Sequence, residues 1–280
     1  MENMDRKEWV SRFGLFLLFL ICGLLALGPL QWTPPQDPIN RAIYKIGIPL
    51  IFLIITIFLY RSERFNQYWQ VLFAFFVGSF AFFIAWFGAY FLNIQPTTMD
   101  GFALAKLSDA LLIIIPIIVL IRIAGGDMAS LYLKKGNLKL GLLIGLLGFV
   151  GFVAISIDSA TDLFYGTDLN VWRIVSWTPW ILAFVLANGA LEELLYRGLF
   201  LKKLEPFIGY NSSNIVIALF FTIAHLGVTY TSDSSTFFVI LLILGLAWGY
   251  IIQRTDSLLA AILFHAGADV VLAIGLFSNL

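Results

Sequence analysis

Residues 69–92 read WQVLFAFFVGSFAFFIAWFGAYFL, a run of 24 residues without a charged side chain. A helix of this length rises about 36 Å, which is enough to cross a hydrocarbon core of roughly 30 Å. Helices in soluble domains average only about 12 residues and keep a polar face. The run therefore predicts a transmembrane helix.

The whole chain has the same character. Of its 280 residues, 60% are hydrophobic and only 12% are charged, whereas a soluble domain carries about 25% charged residues. One domain of this size has too little polar surface to cover so many apolar side chains, so a soluble globule is excluded and the lipid bilayer is the expected partner. The 17 basic and 17 acidic residues balance. No basic stripe indicates nucleic-acid binding.

Nine apolar windows near the length of a membrane span follow one another along the chain. They lie near residues 13–31, 43–60, 69–92, 107–124, 140–157, 175–200, 213–229, 236–253 and 257–277. We therefore predict an all-α fold, a polytopic helical bundle with about eight to nine transmembrane helices, in a single membrane domain over residues 1–280. The fourth window contains Lys106, Asp109 and Pro116, so we expect it to be kinked or only partly inserted.

Lys and Arg residues indicate the orientation of the chain. With the N-terminus inside and nine spans, 13 of the 17 lie on the inner side. These are Arg6, Lys7, Arg12, Arg61, Arg64, Arg122, Lys134, Lys135, Lys139, Arg197, Lys202, Lys203 and Arg254. The outer side keeps Arg41, Lys45, Lys106 and Arg173. By the positive-inside rule, we expect a plasma-membrane protein with a cytoplasmic N-terminus and an external C-terminus.

Two adjacent acids lie within the sixth window. Thr178-Pro179 is typical of a helix start and Glu205-Pro206 of a helix end, which puts Glu192 about 20 Å from the outer end. Ionisable groups in a span are costly, so they are functional candidates. Glu193 precedes Arg197 by four residues, the favourable order for a helical ion pair. Glu192 is left as the carboxylate without a local cation, a candidate general base or acid.

Both histidines of the chain fall in apolar windows after the acid pair. His225 lies in the seventh window, and His265 lies in the ninth with Asp269 one turn further on the same face. Their depths approach that of Glu192, so three helices can bring these groups together near the bilayer midplane.

Two chemistries fit this set of side chains. In one, Glu192, His225 and His265 bind a zinc ion that activates water. In the other, which needs no metal, Glu192 and His225 activate the water and His265 stabilises the oxyanion. Both predict hydrolysis of an acyl bond. No HExxH pair fixes a metal-binding face, so the spacing leaves zinc open as a cofactor.

At these residues the sequence resembles the CPBP family, the CAAX prenyl endopeptidases and bacteriocin-processing membrane proteins also called Abi proteins. The family pattern is Glu-Glu-x-x-x-Arg, then Phe-x-x-x-His, then His-x-x-x-Asn or Asp. Here the motifs are residues 192–197, 221–225 and 265–269. The resemblance covers residues 175–277, which we interpret as catalytic helices, while residues 1–170 form helices without an assigned role.

The resemblance implies an all-α core of about eight helices and endopeptidase cleavage of a membrane-embedded or lipidated peptide or protein. It implies that Glu192 and His225 position and activate water, that His265 helps to form the oxyanion site, and that Glu193, Arg197 and Phe221 support them. Asp269 stands where the prenyl proteases have asparagine. An ionised Asp cannot donate to an oxyanion, so we expect it to orient His265 or to bind a metal.

Two other kinds of protein keep polar residues in membrane spans. One is a non-catalytic bacteriocin-immunity or scaffold protein of the same family. The other is a proton-coupled transporter, because Glu and His chains also relay protons. The sequence shows no paired repeats with broken helices at matching positions, which disfavours the transporter.

Overall fold

The protein is described here from a computed structural model that covers residues 6–32 and 36–280, excluding the side chain of Trp32. These residues form helices joined by short turns and contain no β-strand. The helices are α1 (Arg6–Leu27), α2 (Pro29–Trp32), α3 (Pro38–Arg61), α4 (Trp69–Leu92), α5 (Met99–Ile123), α6 (Leu138–Ala154), α7 (Ser156–Phe164), α8 (Val171–Glu192), α9 (Leu199–Ile208), α10 (Tyr210–Ala224), α11 (Ser234–Thr255) and α12 (Leu259–Ser278). A π-helical segment, Glu193–Gly198, joins α8 to α9.

Membrane-spanning helices account for most of this architecture. Within the described residues, seven helices are long and apolar enough to cross a bilayer, and a bent pair of helices adds an eighth. The prediction of a polytopic helical bundle is therefore confirmed. Each of the nine windows contains a helix, but in the seventh the helix, α10, ends at Ala224. Helix α10 has only 15 residues, about 22 Å, and falls short of a full span by itself.

The bent span is the fifth apolar window, whereas the sequence predicted a kink in the fourth. The fourth window forms α5, an unbroken helix of 25 residues that contains Pro116. It is long and apolar enough to cross a bilayer, which disfavours the expectation of a partly inserted segment there. The fifth window divides into α6 and α7, which meet at an angle of 68°. The Ser156 hydroxyl donates to the carbonyl of Val153 at 2.8 Å, and α7 then carries Asp158 and Asp162. Acidic side chains are costly in lipid, which is consistent with a turn out of the span.

The helix of the sixth window, α8, begins earlier in the chain than Thr178-Pro179 indicated. Asn170 caps α8, and its side chain accepts from the backbone N–H of Arg173 at 3.0 Å. Thr178 is inside the helix and donates to the carbonyl of Ile174 at 3.2 Å. The predicted start was therefore wrong by about two turns, because the asparagine satisfies the orphan N–H groups upstream and α8 accommodates Pro179.

The bundle has two chemically different ends. At one, which we call the basic end, Lys134 and Lys202 both form ion pairs with Asp256. At the other, the opposite end, the Tyr165 hydroxyl donates to Thr231 O at 3.0 Å. The other Lys and Arg residues that the sequence placed on the inner side of the membrane lie in segments at the basic end. Arg197 does not, because it is fully buried inside the bundle, and it therefore gives no orientation signal.

Helix α10 crosses the bundle together with the loop that follows it. Its first turn at Tyr210 lies at the basic end beside Arg12, whereas Ser232 donates its backbone N–H to Leu163 O at 3.0 Å at the opposite end. Residues 225–233 have no regular secondary structure. The chain thus changes ends between α9 and α11, and the last nine of the 24 residues in this passage are non-helical.

Helix α12 carries two site residues and lies against α6, α7, α8 and α11. Its contact with α6 depends on glycine. A Cβ at Gly267 would overlap the backbone of Phe149, and a Cβ at Gly145 would lie 2.9 Å from that of Leu263. Small residues allow such close approach of membrane helices. This packing sets the position of the α12 side chains opposite α8.

Candidate active site

The acid pair lies where the helix changes geometry. Glu192 ends α8, and residues Glu193–Gly198 continue as a π-helix whose side chains are all buried. A π-turn inserts one extra residue into the helical ladder and changes the direction in which side chains project, and such turns are frequent at functional sites. Here it lets two adjacent carboxylates take different positions around one histidine.

Glu193 joins a cation and an imidazole inside the protein. Its Oε1 accepts from Arg197 Nη1 at 2.8 Å and from His265 Nδ1 at 2.7 Å. Glu193 and Arg197 are both fully buried. The ion pair predicted from the i, i+4 spacing is therefore present. Because a carboxylate can only accept at this distance, Nδ1 of His265 carries its proton and Nε2 faces the other way.

Arg197 has no route to solvent and is held by its surroundings. Its guanidinium lies over the ring of Phe221 at 4.3 Å and over that of Trp248 at 5.2 Å. Nη2 also donates to the carbonyl of Gly245 at 3.4 Å. Aromatic faces attract a desolvated cation. Arg197 therefore holds the Glu193 carboxylate in place, and its supporting role in the site stays a prediction.

Trp248 sets the plane of the His265 ring. The indole stacks on the imidazole with centroids 3.9 Å apart and planes 8° apart. Trp248 is buried. With Glu193 fixing Nδ1, this stack leaves the imidazole one orientation.

The free edge of His265 faces two carboxylates. Its Nε2 lies 3.6 Å from Glu192 Oε2 and 3.7 Å from Asp269 Oδ1. These separations are longer than a good hydrogen bond. Asp269 is also held from a second helix, since Asn188 Nδ2 donates to its Oδ2 at 2.9 Å. Asp269 therefore stands beside His265 and has an amide partner on α8 that the sequence spacing did not predict.

His225 lies at the end of α10, at the point where the helix stops. Its Nδ1–H donates to the carbonyl of Phe221 at 2.9 Å, because a carbonyl oxygen only accepts. This bond fixes the tautomer, so a neutral His225 presents the lone pair of Nε2. Phe221 therefore contributes twice, through its carbonyl to His225 and through its ring to Arg197.

One cavity of about 390 Å³ brings the candidates together. It is lined by Glu192, His225, His265 and Asp269, with Asn188 and Lys106. Glu193 and Arg197 lie behind its wall. The cavity continues past Tyr230 and Phe164, so it extends toward the opposite end of the bundle. Non-helical backbone at membrane depth is tolerated where it lines such a cavity.

The predicted zinc site can be compared with this arrangement. Among the described residues, no three His, Cys, Asp or Glu side chains have positions that would hold a metal ion. His265 has already committed Nδ1 to Glu193. As arranged, Glu192, His225 and His265 therefore do not form a ligand set, and the zinc alternative stays a prediction for experiment.

Among the lining residues that were absent from the predicted site are Asn188, Trp248 and Lys106. Asn188 precedes Glu192 by one helical turn, and this spacing on one face is a signal that sequence reasoning can use. Trp248 gives no such signal, since eight tryptophans occur in the chain. Lys106 was interpreted as an outer residue near Asp109, but it lines the cavity.

Comparison with known proteins supports the resemblance. Residues 174–271 match the family model described as type II CAAX prenyl endopeptidase Rce1-like. The matched segment contains all three motifs, so the resemblance to the CPBP family is confirmed for this part of the chain. No curated protein and no solved structure matches. The match supports a membrane protease of the CAAX endopeptidase kind, and it does not extend to helices α1 to α7.

Proposed function

We propose that this protein is an intramembrane endopeptidase in which Glu192 and His225 activate water against a peptide bond. One observation carries the proposal. Two groups that can accept a proton, the Glu192 carboxylate and the His225 imidazole, line the same cavity within the bundle. A positioned general base contributes about 10²- to 10⁴-fold to a rate.

The reaction follows from the arrangement of these groups. Glu192, with Nε2 of His225, takes a proton from a water molecule, whose oxygen forms a bond to the peptide carbon. The carbonyl oxygen becomes an oxyanion, which a protonated Nε2 of His265 stabilises by donating a hydrogen bond. The C–N bond then breaks, and the proton passes from Glu192 to the leaving nitrogen. Asp269 and Glu193 stabilise the imidazolium form of His265.

The substrate enters from one side of the membrane. The cavity extends toward the opposite end, away from the basic end. By the positive-inside rule, the basic end is cytoplasmic, so the cavity is reached from the external side and the C-terminus is external. A membrane-embedded or lipidated peptide fits, since the walls of the cavity combine polar groups with Phe164, Phe184 and Phe237.

The proposal is tested by cleavage of a library of membrane peptides in liposomes. We compare wild type with Glu192→Ala and His225→Ala, and use Glu205→Ala as the matched control. Glu205 is an acid of α9 that pairs with Gln253 at 2.8 Å, outside the cavity. We expect both site variants to lose at least about 100-fold in rate and the control to keep its activity. Equal product patterns from all four proteins would contradict the proposal and favour a non-catalytic protein.

The same cleavage assay, repeated after metal chelation, distinguishes water activation by zinc from water activation by side chains alone. Extensively chelated wild type is compared with untreated protein. Retained activity is expected if side chains alone activate the water. Loss of activity that returns when zinc is added would assign the water to a metal instead.

A further inference from the structure

A second cavity lies at the basic end, apart from the candidate active site. Its volume is about 190 Å³, and it lies between the first turn of α4, the end of α5 and helix α9. Its polar lining consists of Gln70, Ser130, Lys202 and Lys203, with Trp69 and Gly125 beside them. None of these residues lines the cavity of Glu192.

The two lysines of this cavity differ in their partners. Lys202 Nζ donates to Ala129 O at 2.7 Å, pairs with Asp256 at 3.1 Å and lies 4.2 Å from the ring centre of Tyr132. Lys203 Nζ is buried and has no hydrogen-bond partner in the part of the chain that the structure describes. Lys202 is therefore satisfied within the protein, and Lys203 is not.

An unsatisfied buried ammonium group is energetically costly. A buried donor left without an acceptor costs about 1–3 kcal/mol, and more when it is charged. A bound ligand that supplies the missing acceptor is one explanation for such a group. An anion would supply this acceptor and also balance the charge, because Asp256 meets the charge of Lys202 and no acid lines the cavity beside Lys203.

The surroundings indicate the source of that anion. Trp69 begins α4, and tryptophan at the end of a span is typical of the depth of lipid headgroups. Phe73 and Ile121 give the cavity an apolar wall, along which a glycerol backbone and acyl chain can lie. Basic pockets between membrane helices at the cytoplasmic side bind anionic headgroups. We infer that this cavity binds the phosphate of an anionic phospholipid, with Lys203 as its principal ligand.

The inference is tested by binding measurements on the purified full-length protein in detergent. Native mass spectrometry measures the Kd of phosphatidylglycerol, of zwitterionic phosphatidylcholine and of inorganic phosphate. We compare wild type with Lys203→Met, and use Lys135→Met as the control because Lys135 is an exposed lysine of the loop between α5 and α6. We expect Lys203→Met to bind phosphatidylglycerol about tenfold more weakly, the equivalent of losing one charge-assisted hydrogen bond. The control should bind as wild type does.

Other binding results would contradict a phospholipid site at Lys203. Equal phosphatidylglycerol affinity in wild type and Lys203→Met would overturn it, as would wild-type affinity for phosphatidylcholine that equals that for phosphatidylglycerol. Competition by inorganic phosphate at equal concentration would overturn the lipid assignment in favour of a soluble anion. Unfolding is followed in parallel without added lipid. Because Lys203→Met removes an unpaired buried charge, its melting temperature should not fall, which separates lost binding from misfolding.

Discussion

Glu193 is the residue on which the geometry of the site depends. One of its oxygens accepts from both Arg197 and His265. Glu193 and Arg197 are fully buried behind the cavity wall, so a partner that either one loses is not replaced by solvent. Trp248 closes the arrangement by stacking on His265. The polar cluster is therefore a fixed scaffold for the edge of His265 that faces the cavity.

Breaking the buried ion pair between Glu193 and Arg197 should lower the stability of the protein. Glu193→Gln leaves Arg197 buried without its counter-charge, which should destabilise the protein by about 3–5 kcal/mol. The double variant Glu193→Gln, Arg197→Met removes both charges and should recover a substantial part of that loss. Melting temperatures in detergent compare the two. A double variant less stable than Glu193→Gln alone would show that the two charges do not depend on each other.

Among the elements, helices α8, α10 and α12 carry Glu192, His225, His265 and Asp269, and the sequence predicted all three helices. Their motifs were recognised because ionisable residues are rare in apolar windows, so each one is informative. Two features were not accessible in this way. The π-turn at Glu193–Gly198 has no signature in hydrophobic periodicity. The early end of α10 at Ala224 lies inside an apolar run that predicts a continuing helix.

The close contact between α6 and α12 predicts that two glycine substitutions differ in their effect on stability. A Cβ at Gly267 would overlap the backbone of Phe149, whereas a Cβ at Gly151 meets nothing within 4 Å. Gly267→Ala should therefore destabilise the protein by about 1–3 kcal/mol through overpacking, and Gly151→Ala should be neutral or slightly stabilising. Thermal unfolding distinguishes them. Equal melting temperatures would contradict the close approach of the two helices.

The whole molecule combines a polar cavity reached from one end with basic groups at the other. The sequence predicted this polarity by counting Lys and Arg, because the cytoplasmic bias acts on short loops. It did not predict that α10 completes its passage through the non-helical residues 225–233, or that α6 and α7 bend apart by 68°. Both are set by tertiary packing, which local apolar periodicity does not report.

The orientation leads to a labelling prediction. In a Cys22→Ser background, Ser235→Cys places a thiol at the opposite end and Lys135→Cys at the basic end; both positions are exposed. A membrane-impermeant maleimide added to intact cells should modify the cysteine at 235. The cysteine at 135 should react only after permeabilisation. The reverse pattern would place the active-site cavity on the cytoplasmic side.

The most direct test of the central claim separates chemistry from binding at Glu192. Single-turnover cleavage of one membrane peptide is measured beside its Kd, with wild type and Glu192→Gln, a variant that keeps the shape of the side chain but cannot take up a proton. We predict an unchanged Kd and a cleavage rate about 10²- to 10⁴-fold lower. Cleavage by Glu192→Gln at the wild-type rate would contradict the assignment of Glu192 as the base.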